Sequence, residues 1–171
     1  TPNSNYKYKK NFTKPTKSLK STQNYYNETK SLTAIDIKEF SFLYILLKKP
    51  ELIKDNFNLI ENVKLFSSEN KLLLEEIVNQ TNNFENTDIE NLKIDQGLIE
   101  RVFKYASIKH ILFKSLNDDQ KILEILSELI RDLKNYELEL RIADLESRFT
   151  KDLSEATFNE LKELKKLQKI N

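Results

Sequence analysis

"KEFSFLYILLKKPEL", Lys38 to Leu52, is the most apolar stretch of the chain. Ile37, Phe40, Leu43, Tyr44 and Leu47 recur at spacings of three and four, which places them on one face of a helix. Phe42, Ile45 and Leu46 widen that face almost all the way round. A helix that is apolar on nearly every side has to be surrounded, so this one is expected at the centre of a helical bundle. Charge interrupts it on both sides, and it falls far short of the ~20 apolar residues of a membrane span. Pro50 cannot continue the helix, and its fixed φ suits the first turn of a second one, "PELIKDNFNLI".

The rest of the composition points the same way. The 171 residues include one glycine, Gly97, and three prolines. A β-rich fold needs glycine at turns and bulges, whereas abundant Leu, Lys, Glu and Ile favour helix, so an all-α fold is expected. With no cysteine, disulfides and thiolate metal sites are excluded for this chain. The chain starts at Thr1 and contains no Met, which suggests a piece of a longer protein. The polar N-terminus has no apolar signal segment and no span is present, so a cytoplasmic, membrane-free protein is expected.

The net charge of +1 hides an asymmetry. Residues 1–30 hold seven Lys and one Glu, while the remainder holds 21 basic and 26 acidic side chains. Before Leu32 the only aliphatic residue is Leu19. Such a segment cannot bury enough apolar area to offset its ordering entropy, and residues 1–34 read as a disordered basic linker. Tyr6, Tyr8, Phe12, Tyr25 and Tyr26 interleave with its lysines. Charge plus stacking is the way single-stranded nucleic acid is held, which would give weak nucleic-acid contact through this tail.

Further along, "FSSENKLLLEEIVNQ" reads as a helix capped by Ser67 or Ser68, with Leu72, Leu73, Ile77 and Val78 facing inward. Polar residues 79–87 read as a loop. Residues 88–117 read as two or three short helices with Gly97 as the break. From Asp118 to Phe149 no Gly or Pro interrupts a long helix, for which Asn117 or Asp118 is a suitable cap. Ile122, Leu126, Leu129, Leu133, Tyr136 and Leu140 follow alternating four-three spacing. Leu138, Ile142, Leu145 and Phe149 then form a second series. Two residues separate Tyr136 from Leu138, a rotation of about 200° on a helix. One helix therefore serves two bodies. The segment 150–171, "TKDLSEATFNELKELKKLQKIN", carries a Ser154 cap and an apolar face of Phe158, Leu161, Leu164 and Leu167 or Gln168. It is expected to fold back as a helical hairpin. The expected organisation is a linker (1–34), a helical bundle (35–135) and, joined to it through the long helix, a C-terminal helical hairpin (136–171). A two-helix hairpin covers its apolar faces only in part, which suits a docking element.

No constellation for catalysis is visible. His110 stands alone, Asp118–Asp119 and Glu75–Glu76 are neighbours that point apart on a helix, and no glycine-rich phosphate loop can be built from one glycine. The carboxylates of "ELELRIADLESR" alternate with Arg as on an exposed helical face. No enzyme activity, metal site or cofactor is expected in this segment, which reads as a protein–protein interaction domain.

Glu39, Leu43, Leu46, Leu47, Pro50, Glu51 and Leu52, then Ser67, Ser68, Leu72 and Leu73, resemble the opening of the C-terminal helicase-binding domain of bacterial DNA primase (DnaG). Leu133, Glu139, Arg141, Ile142, Leu145, Asp152, Leu153, Phe158 and Leu161 resemble its ending. The likeness covers roughly residues 35–171. It implies a segment that recruits primase to the replicative helicase, a DnaB-type hexamer, for RNA primer synthesis in DNA replication. The polymerase domain of such a primase would lie upstream. In the hairpin, Phe149, Phe158, Leu161 and Leu164 would form an apolar brace, with Arg148, Lys162, Lys165 and Lys166 facing an acidic patch of the partner. Two other readings stand beside it: the N-terminal domain of the replicative helicase itself, which has a related bundle, and a nucleic-acid-binding module acting through the basic tail.

Overall fold

The computed structural model describes residues 29–83, 95–115 and 118–170, with isolated positions 20, 23 and 27. The tyrosines of the proposed nucleic-acid tail lie outside these residues. The chain divides into two units, Thr1–Leu32 and Thr33–Asn171. Among the described residues there are α-helices and no strands, so the protein is all-α. In the second unit the helices are α1 (Ala34–Lys48), α2 (Glu51–Asp55), α3 (Phe57–Glu61), α4 (Ser68–Asn83), α5 (Gln96–Tyr105), α6 (Lys109–Ser115), α7 (Asp119–Phe149) and α8 (Glu155–Ile170).

Helix α1 starts two residues before the apolar pattern does. Thr33 and Asp36 form a capping box, each side chain satisfying the other residue's backbone N–H. The helix is enclosed by α4, α5 and α7. Phe40, Phe42, Leu43, Ile45, Leu46 and Leu47 are all buried, as the near-continuous apolar run requires. Pro50 sits in helical geometry directly before α2. The second short helix expected after it is two helices. Asn56 interrupts it with φ −124°, and its side-chain amide donates to the Leu52 carbonyl at 3.1 Å. Asn competes in this way for backbone groups that would otherwise continue the helix.

Glu39 is wholly buried, with 0% exposure. One carboxylate oxygen accepts from the Phe66 backbone N–H, the other from the Asn70 side-chain amide at 2.6 Å. Both donors belong to the start of α4, where Ser67 is the cap and its hydroxyl accepts from the Asn70 N–H at 3.5 Å. A helix start offers unsatisfied N–H groups and a positive dipole end, so a buried carboxylate is tolerable there. The Phe66 ring in turn meets Tyr136 of α7 edge-on, 4.8 Å between centroids.

Several sequence expectations shift by a residue or two. The inner face of α4 is Asn70, Leu73, Leu74, Ile77 and Thr81, while Leu72 is 62% exposed. A stripe at 70, 73, 77 and 81 is a true helical face, and Leu72 lies about 100° off it. Helix α4 also runs to Asn83, five residues into the expected loop; the rest of that loop lies outside the described residues. Gly97 is not a break between helices. It is the second residue of α5, and its N–H donates to the Asp95 cap at 2.9 Å. On the first half of α7 the buried residues are Ile122, Leu126, Ile130 and Leu133. Leu129 is half-buried and Leu140 is exposed. At about 100° per residue Leu129 and Ile130 lie about 40° and about 60° to either side of the mean direction of Ile122, Leu126 and Leu133, so both border one face, and the packing buries Ile130 more deeply.

Glu39→Leu is expected to destabilise the protein by about 3 kcal/mol, because it strands two buried donors. Glu39→Gln should cost about 1 kcal/mol: the Asn70 amide can then turn over, so that its Oδ1, which has no partner now, accepts from the new amide. Urea unfolding of both variants checks this ordering.

Candidate functional site

Helix α7 changes partners along its length. Lys49 reaches Asp119 at 3.0 Å, Lys38 reaches Asp132 at 2.8 Å and Lys64 reaches Glu137 at 2.5 Å, so its first half is tied to the bundle. The hydrogen bond that Lys49 donates to Asp119 holds its ammonium above the ordinary pKa. Past Glu139 the contacts turn to α8. Arg141 reaches Glu160 at 2.5 Å and Glu146 reaches Lys165 at 2.6 Å. Ile142, Leu145, Leu161 and Leu164 make a small buried core of their own, with Leu138 packed on its edge. From Leu133 to Leu138 is five residues, a turn of about 140°, so the two cores lie on different sides of one helix.

The turn between α7 and α8 is short. Thr150 ends α7, and Ser154 caps α8 by accepting from the Thr157 N–H at 3.2 Å. Phe149 and Phe158 meet across this turn, 5.8 Å between ring centroids. Phe149 is half-buried, whereas Phe158 is 49% and Leu153 79% exposed. The hairpin thus ends in an apolar tip of three large side chains.

The sequence-assigned residues divide by role. Leu161 and Leu164 are buried inside the hairpin and form its brace. Phe149 and Phe158 are brought together at the tip. Arg148 is ion-paired with Asp144 one turn back, and the bond to that carboxylate raises the pKa of the guanidinium. Lys165 is paired across to Glu146, and Lys166 with Glu163 at 2.6 Å. Lys162 is exposed beside the same face. Leu153 is absent from the sequence-assigned site residues, although an apolar side chain in a turn two residues before a helix is a legible signal. Among the described residues no group of His, Cys, Asp and Glu is placed to hold a metal ion, and no helix is long and apolar enough to cross a membrane. No protein-family model, curated protein or solved structure matches this chain.

Such a hairpin is a shaped projection. Its own core fixes the shape, its ion pairs fix the register, and its tip presents apolar area that water solvates poorly. The Lys166 bond holds the Glu163 carboxyl below its ordinary range, so this pair's contribution is present above the ordinary carboxylate pKa. It is lost as pH falls through the lowered value.

Leu145→Asp is expected to open the α7–α8 core and leave the bundle folded. Amide NMR spectra should keep dispersed signals for α1, α4 and α5 and lose them for α8. Loss of dispersion throughout would show that the two cores are one cooperative unit.

Proposed function

We propose that this chain is a helicase-docking domain, similar to the C-terminal domain of bacterial DNA primase, which brings a primase to the replicative DnaB-type helicase. It acts in the cytoplasm as a protein–protein interaction domain and performs no catalysis itself. One observation carries the reading: a hairpin with a separate core ends in the exposed Phe158, stacked on the half-buried Phe149, and the exposed Leu153. A folded body has little use for a cluster of that kind at its extremity, whereas aromatic anchors on a rigid projection are what interface hot spots are made of. The order of the sequence motifs supplies the identity of the partner.

The charges around the tip set the kind of surface it would meet. Lys151 and Lys162 are exposed near it. Arg148, Lys165 and Lys166 are neutralised by neighbours, so they contribute to register more than to attraction. The expected counterpart is an apolar socket with a mildly acidic rim. A hexameric helicase offers that socket in repeated copies, which raises avidity if several primases bind.

Mixing the full chain with the DnaB-type hexamer of the same organism, at tens of micromolar, should give a complex in size exclusion with light scattering. Phe158→Asp should weaken it at least about tenfold while the chain stays folded, since the ring is half in solvent already. No complex with the unaltered chain, or undiminished binding by Phe158→Asp, would overturn the reading.

A further inference from the structure

A second surface lies on the bundle, on the outer side of α4 and α5. Both helices rest on α1, and between them runs a groove of about 620 Å³. Leu72, 62% exposed, stands on its α4 wall, and Leu98 lies at the base of the α5 wall. Among the described residues, the buried face of α4 is made by Asn70, Leu73, Leu74, Ile77 and Thr81 without Leu72. A leucine so exposed is unremarkable alone, but here it sits between two carboxylates. Glu69, Leu72 and Glu76 fall at i, i+3 and i+7, one stripe along α4 about 10 Å long.

Gly97 is a separate observation. It is the chain's single glycine and it lines the same groove. Its φ is not positive, so the backbone does not require it there, and glycine near a helix start is no better than most residues. The nearest atoms to a Cβ at this position would be those of the Asp95 cap carboxylate, from 3.3 Å, a tight contact that the exposed cap would have to yield to. Glycine leaves that floor open for close approach by another chain.

The lining charges choose the occupant. Among the described residues of the lining, Glu69, Glu76 and Asp95 face one cation, Arg101. Arg101 bridges the groove to Glu69 at 3.0 Å, but both side chains are well exposed, and an ion pair of that kind is readily exchanged. We infer that this groove takes a basic amphipathic helix of a partner protein. Its leucine-like side chains would pack on Leu72 and Leu98 across Gly97, and its Lys or Arg residues would lie against Glu69 and Glu76. Helix-in-groove recognition uses anchors one turn apart, which matches the acid–leucine–acid spacing of the stripe. The surface is on the bundle, so the inference stands apart from the hairpin and its partner.

The test uses the full chain and a fluorescent 18-residue peptide of Leu and Lys, patterned as an amphipathic helix, with a scrambled peptide as control. Fluorescence anisotropy should show saturable binding of the patterned peptide. Leu72→Ser, Glu76→Lys and Gly97→Leu should each weaken it about tenfold, and Leu167→Ser, an exposed leucine on α8, less than about twofold. Three results would overturn the inference. One is no saturable binding by the unaltered chain. Another is equal binding by the groove variants, which would put the peptide elsewhere. The third is a chain that sediments as a dimer and becomes a monomer on Leu72→Ser, which would give the groove to a second copy.

Discussion

The buried carboxylate of Glu39 sets the geometry from which the rest follows. A carboxylate removed from water has to be met by donors, and an uncompensated one costs several kcal/mol. Two N–H donors at the start of α4 meet it, which fixes where that helix begins against α1. The same bond fixes Phe66, whose ring sets Tyr136 and therefore the point at which α7 leaves the bundle. Lys64 and Glu137 close the same junction. The two hydrogen bonds to Glu39 thus tie the start of α4 to α1 beside the junction from which α7 runs on to the hairpin.

From that junction outward, α7 behaves as two helices in one. Its first half buries Ile122, Leu126, Ile130 and Leu133 on the bundle, and its second half buries Ile142 and Leu145 against α8. A continuous helix keeps the two faces at a fixed angle without a linker. That makes the hairpin a projection whose orientation is set, while its small core leaves the tip residues Leu153 and Phe158 in water. Preorganisation of this kind lowers the ordering cost of binding. It is the physical reason to read the hairpin as a docking element.

Most of the fold was legible because its strongest signals are long and periodic. The encirclement of α1 was visible in eight nearly unbroken apolar residues, and the change of stripe on α7 in the jump to Leu138. The Ser154 cap and the hairpin were visible too. What escaped the sequence was what depends on pairing between distant residues. Nothing local in "KEF" says that Glu39 is buried on a helix start 27 residues away. Runs of consecutive leucines are ambiguous by nature, which is why Leu72, adjacent to the buried Leu73, was placed on the wrong face. On the hairpin, the sequence identified the aromatic pair and the brace. It did not show that Arg148, Lys165 and Lys166 already have carboxylate partners, because exposed charges at helical spacing look alike whether paired or not.

The central claim is that one helix carries two separable cores and so presents the hairpin as a distinct body, the one proposed to dock. Native-state hydrogen exchange of the full chain tests it most directly. Amides of α8 and of α7 beyond Leu138 should exchange through an opening of clearly lower free energy than those of α1 and of α7 between Ile122 and Leu133. A single opening free energy shared by both halves of α7 and by α8 would contradict the account.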